Sequence, residues 1–154
     1  MNRLACLVLA MLTSPLLAAD IASCSNPIGT GYFPETGIVT AKDSGWSEEK
    51  ITGGIIKLTK RGANEYDILF VDTRKEIISA RQDGGEGILL NFGKNVVSVL
   101  VVYPGTAAEV YTFLKTNSGK LEYTHTLSRA GDGVLITKAS VMRGDCDYIN
   151  FGSL

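Results

Sequence analysis

The chain has a single histidine, His125, so a site built from several imidazoles is closed to it. A catalytic histidine needs a nucleophile and an orienting acid within hydrogen-bond reach. Ser98, Ser140 and Asp72 are candidates, but no spacing ties any of them to His125. His125 alternates with Leu121, Tyr123 and Leu127. That period of two puts it on the apolar face of a strand, as a hydrogen-bonded core or rim residue. The loop RQDGGEG (81–87) sets the carboxylates of Asp83 and Glu86 among glycines, which suits a hard cation in outline. It lacks the series of oxygen ligands that a calcium loop needs, and a glycine-rich hairpin turn accounts for it without a ligand. No metal site and no cofactor are expected. Neither this glycine cluster nor AGDG (130–133) opens a helix, so neither makes a phosphate cradle.

Carboxylates at alternate positions, Glu65 with Asp67 and Asp145 with Asp147, face the same side of a strand. A pair of that kind ordinarily keeps an exposed face solvated, although paired carboxylates on different strands can also serve glycoside hydrolysis. The aromatic residues Tyr32, Phe33 and Trp46 fall in a stretch without strong periodicity. Loop aromatics anchor partners or line ligand mouths, or else they cover one end of a core. A binding surface on this chain is expected to present Tyr32, Phe33, Trp46, Asp83 and Glu86 together.

The cysteines say where the protein works. Arg3, an apolar run over 4–12, the breakers Thr13, Ser14 and Pro15, and the small residues Ala18 and Ala19 have the order of a secretory signal peptide. The run is too short for a transmembrane helix, which needs about 20 residues. Residues 1–19 are therefore expected to be cleaved, leaving 20–154 as one domain in the periplasm or outside the cell. Cys6 leaves with the signal, and Cys24 and Cys146 are expected to pair, as thiols do in an oxidising compartment. Closing a loop of about 120 residues is worth roughly 4–5 kcal/mol in the chain-entropy account. IASC (21–24) loosely resembles a bacterial lipoprotein signal, but the charge of Asp20 and the distance from Ala19 argue against a lipid anchor at Cys24.

Those residues have to be positioned by strands. The 17 glycines against four prolines, beside many Val, Ile, Thr and Tyr, suggest short strands and tight turns. Strands are expected over 55–61, 65–72, 76–82, 88–92, 96–103, 109–115, 121–129 and 134–142, with CDYINF (146–151) as a last extended piece. Residues 24–46 read as an irregular arm with one short strand near 38–40, and Ser47 as the cap of a single helical turn. The strand 96–103 is apolar on both sides, which predicts a central strand covered on both faces. The fold class is all-β: an antiparallel up-and-down meander of about eight strands, closed into a small barrel or folded into a sandwich.

The formal net charge is −1 and charges of both signs are interspersed, so no nucleic-acid or polybasic membrane footprint exists. Size, signal and cysteine placement resemble short exported β-proteins of Gram-negative bacteria, some of which are periplasmic inhibitors or immunity proteins. The expectation is a non-enzymatic module that binds another protein in the envelope or outside the cell. The alternatives are a barrel that carries a small apolar ligand, if its interior is left open, and a carboxylate-dependent hydrolase of envelope polymers. Tyr66, Phe70, Tyr111 and Phe113 are large enough to fill the interior instead.

Overall fold

A computed structural model of the chain describes residues 19–71 and 74–154. The expected signal peptide lies, up to residue 18, outside the described residues. The strands are β1 (Ala19–Phe33), β2 (Gly45–Lys50), β3 (Ile55–Lys60), β4 (Tyr66–Val71), β5 (Ile77–Ser79), β6 (Glu86–Gly93), β7 (Val96–Tyr103), β8 (Ala107–Lys115), β9 (Leu121–Arg129) and β10 (Lys138–Ile149). A 3₁₀ turn, Phe151–Ser153, follows the last strand. All pairings are antiparallel, and the order across the sheet is β5-β4-β3-β1-β10-β9-β8-β7-β6, with β2 also on β1. Among the described residues no helix is long and apolar enough to cross a membrane.

The fold is all-β and largely a meander, as expected: β3 to β5 and β6 to β10 each pair in sequence order. What joins these two runs is β1, which pairs with β10 along one side and with β2 and β3 along the other. Residues 28–33 face β2 and residues 19–25 face β3, so β2 and β3 lie end to end as one interrupted strand. At the interruption Asn26 takes a left-handed φ of 52°, which its short polar side chain tolerates. Its N–H donates to the Gly54 carbonyl at 2.9 Å, and its side-chain oxygen accepts from the Gly53 N–H at 3.0 Å. Pro27 sits at the same bulge, the place a sheet can accept a residue without an N–H.

The sheet curls into a half-barrel. At one end of the path, β6 comes back against β4: a Cβ on Gly87 would lie 2.3 Å from the Tyr66 carbonyl oxygen, so only glycine allows this approach. Alternate residues point to the inside of the curl, where Ile21, Leu58, Ile68, Val99, Phe113 and Tyr123 are buried. Cys24 and Cys146 are direct cross-strand partners on β1 and β10 and are bonded, Sγ–Sγ 2.00 Å.

Four local expectations are corrected. Irregular chain in the N-terminal arm is confined to 34–44, because 24–33 belong to β1, and 38–40 form no strand. Ser47 lies in β2 and caps no helical turn, since its neighbours pair with β1. Strand 96–103 is not central: it lies next to the edge strand β6, and its second face (Val96, Ser98, Leu100, Val102) is only half-buried. Residues 134–137 precede β10 as a loop, and β10 instead runs on through Cys146.

Candidate functional site

The curl leaves space inside it. A cavity of about 700 Å³ opens against the inner faces of β8, β9 and β10 on one side and β3 and β4 on the other. Ile56, Phe70, Leu127 and Met142 are among its apolar walls, and Val134, Leu135 and Ile136 of the 130–137 loop cross one flank. That loop is fastened at both ends: the Ala130 N–H donates to the Thr106 carbonyl at 3.0 Å, and the Ile38 N–H to the Leu135 carbonyl at 3.4 Å. Gly131, at φ +137°, lies so close to the Gly105 carbonyl that a Cβ would come within 2.1 Å, so the loop's path requires glycine there.

Period two along β8 and β9 brings polar side chains to this apolar interior. Glu109 and Tyr111 alternate with Phe113 on β8, and cross-strand pairing sets His125 beside Tyr111 and Leu127 beside Glu109. The Tyr111 hydroxyl donates to Glu109 Oε2 at 2.5 Å. The His125 ring stacks on Tyr111, centroids 4.4 Å apart and planes 10° from parallel. His125 Nε2 is 3.7 Å from Glu109 Oε2, an ion-pair distance beyond hydrogen-bond reach. Burial pushes the Glu109 carboxyl up, but the imidazole and the Tyr111 hydroxyl outweigh it and hold the group below its ordinary 4.5. Burial first, and then the Glu109 charge, push the Tyr103 and Tyr111 hydroxyls up, and burial does the same to Tyr123.

Two polar atoms at the cavity have no hydrogen-bond partner among the described residues: His125 Nε2 and Ser140 Oγ. Ser140, 4% exposed, lies on β10 opposite Leu127, one diagonal step from His125. His125, Glu109 and Ser140 thus share a cavity without forming a nucleophilic triad, since the serine and the imidazole nitrogen do not bond each other. His125 lies on the inner face of β9, with its Nε2 left without a hydrogen bond among the described residues. Among the described residues no three His, Cys, Asp or Glu side chains are grouped to hold a metal ion.

Of the expected binding residues, the structure brings together Tyr32 and Trp46, whose ring centroids are 5.4 Å apart on the outer, convex face. Phe33, one residue on, points inward, where the Lys138 ammonium sits 5.7 Å over its ring. Asp83 lies at the cavity and Glu86 on the exposed side of β6, so these do not join the aromatic pair. Within RQDGGEG, Gly84 makes the turn at φ +91°, while Gly85 and Gly87 are packing glycines: a Cβ on Gly85 would lie 2.8 Å from Val101 Cγ1.

Of the alternating carboxylates, Asp145 is exposed and paired with Lys120 at 2.6 Å. Asp67 is not on a solvated face. It is 2% exposed, covered by β5 and the turn after it, and fully engaged. Its carboxylate accepts from Ser79 Oγ at 2.6 Å and from the Arg81 N–H at 3.3 Å, and pairs with Arg61 at 3.0 Å.

Sequence reading misses Glu109; it offers Ser140 as a candidate nucleophile but does not place it one diagonal step from His125. One signal was available for Glu109: in EVYTF it is a charge in phase with two aromatics that face inward. No known family model, curated protein or solved structure matches the chain.

Proposed function

We propose that this protein is an exported binding protein that holds a small, largely apolar molecule inside its curled sheet. The observation that carries the reading is the half-open cavity of about 700 Å³ on the inner face of the curled sheet, beside the buried Val, Ile and aromatic side chains of the core. Protein interiors are packed to crystal-like density, and a space of this size and lining matches ligand pockets, which run from about 300 to 1,000 Å³. Export is supported by the order of residues 1–19 and by the Cys24–Cys146 bond. That bond also occupies the Cys24 sulfur that a lipid anchor would need.

Recognition of a partner protein is a second reading, and it rests on the Tyr32–Trp46 pair. Trp46 is 74% exposed and Tyr32 is exposed beside it, on the side of the sheet away from the cavity. The two readings use opposite faces.

Native mass spectrometry of the protein recovered gently from its own host tests the first. The expected result is a chain starting at Asp20, lighter by the two protons of the bridge, carrying a few hundred daltons that are lost on denaturation. A bare chain that also fails to take up a neutral naphthylamine fluorophore overturns the carrier reading. A co-purifying protein lost on Trp46→Ala supports the second.

A further inference from the structure

Resting on the carrier reading, we infer that the cavity selects an uncharged hydroxyl at the polar end of its apolar ligand, received between His125 Nε2 and Ser140 Oγ. Among the described residues neither buried atom makes a hydrogen bond, His125 Nε2 having only the Glu109 carboxylate at 3.7 Å, and the other walls of the cavity are mostly apolar. A buried donor or acceptor left unmade costs about 1–3 kcal/mol, so each gains from a ligand group that completes it. The two residues are diagonal neighbours on one face of β9 and β10, a relation that sets such positions about 7–8 Å apart.

The chemistry of the two atoms narrows the head group. A serine hydroxyl donates and accepts, and an imidazole nitrogen does one or the other depending on its tautomer. An alcohol can donate to one and accept from the other in either case, which a carbonyl cannot. Charge narrows it again. The Glu109 carboxylate stands 3.7 Å from His125 Nε2, and its nearest donor, the Tyr111 hydroxyl, is already used. A carboxylate or phosphate head brought to the same place would meet that negative charge in a poorly solvated interior, where repulsion is strong. Arg129 also lines the cavity, but on the residue that pairs with Lys138 and Ala107, two alternations along β9 from His125. A head group drawn to Arg129 would leave His125 and Ser140 unpartnered.

The test is displacement of N-phenyl-1-naphthylamine by 1-decanol and by decanoate at pH 8, on the full exported chain. Ser140→Ala and His125→Phe are each expected to weaken 1-decanol about three- to tenfold relative to that variant's own affinity for the fluorophore. The phenylalanine keeps the stack on Tyr111. Glu109→Gln is expected to strengthen decanoate several-fold and leave 1-decanol unchanged. If the fluorophore enters but 1-decanol is insensitive to both Ser140→Ala and His125→Phe, the hydroxyl inference falls and the carrier reading stands. If decanoate is the ligand that loses affinity in those variants, the head group is an acid and the inference is overturned. If the unaltered protein takes up no fluorophore, both fall together.

Discussion

Two buried polar groups sit on either side of β1 and are treated in opposite ways. On the β3–β4–β5 side, Asp67 is 2% exposed and meets Ser79, Arg81 and Arg61. On the β8–β9–β10 side, Ser140 is 4% exposed and its hydroxyl has no hydrogen-bond partner among the described residues. Both are small polar side chains on strands, out of water to the same degree. The first is a knot: a charge taken from solvent and fully compensated, which fixes the turn after β5 against β4. The second has desolvation without compensation, a state that folded proteins rarely keep unless something else completes it. The contrast teaches that burial by itself does not separate structure from function, whereas the balance of partners does. Under the proposed carrier function Ser140 belongs to the working cavity, whereas Asp67 braces β4 and β5 on the other face of the sheet.

The largest effect should come from the bond at the boundary between the two sides. Cys24→Ala with Cys146→Ala releases β1 from β10, and the expected loss is about 2–5 kcal/mol in urea unfolding. Because β1 serves both runs of strands, one cooperative transition is expected; a separate early loss of the cavity side would show that the two sides fold as independent units. Next in size is Asp67→Ala. It leaves the Ser79 hydroxyl without its acceptor and the Arg81 N–H unmet, each costing about 1–2 kcal/mol, so a loss of roughly 2–4 kcal/mol is expected with uptake of an apolar fluorophore unchanged. A variant that keeps its stability and loses uptake would exchange the roles assigned to the two sides.

How much of this was legible in the residues follows from which of them depend on distant partners. The strands 96–103 and 121–129 could be read to the residue, because alternation is local and each strand carries it whole. So could the Cys24–Cys146 pair, which needed only the count of thiols and the compartment. β1 was hidden by Asn26, Pro27, Gly29 and Gly31, which locally spell turn. In the fold, Asn26 and Pro27 make the bulge opposite 51–54. Gly29 is needed because a Cβ there would lie 2.0 Å from the Val141 carbonyl oxygen on β10. Strand 96–103 was misplaced for a related reason: Val and Leu on both sides show that a strand is apolar, not how many neighbours cover it. The cavity was not legible at all, since Tyr66, Phe70, Tyr111 and Phe113 could have filled the interior. Whether they do depends on the curvature that Gly87 permits between β6 and β4. His125 was read to the correct face, but its missing partner is a property of three dimensions.

Acid sharpens the comparison from the cavity side. The folded Glu109 carboxyl titrates below its ordinary 4.5, so it contributes stability above that pH and loses it as the pH falls through the folded value. Stability followed below about pH 4.5 should therefore decline less steeply in Glu109→Gln than in the unaltered protein. An acid limb of equal slope in both would mean that His125 and Tyr111 do not hold Glu109 low.

The smallest effect is the most direct comparison, because it makes one substitution on both sides. Ser79→Ala removes a donor that Asp67 uses, and it is expected to cost about 1–2 kcal/mol. Ser140→Ala removes a hydroxyl that nothing uses, so the folded state loses no bond and no longer buries an unmet group. It is expected to be neutral or to gain up to about 1 kcal/mol, measured in the same urea titration without ligand. The two results should therefore differ in sign or come close to it, although both residues are buried strand serines changed to the same product. If Ser140→Ala costs as much as Ser79→Ala, its hydroxyl has a partner in the free protein, and the distinction between a compensated and an open polar group disappears. If the signs hold, Ser140 is a polar group that the fold itself leaves open, as the proposed ligand site requires.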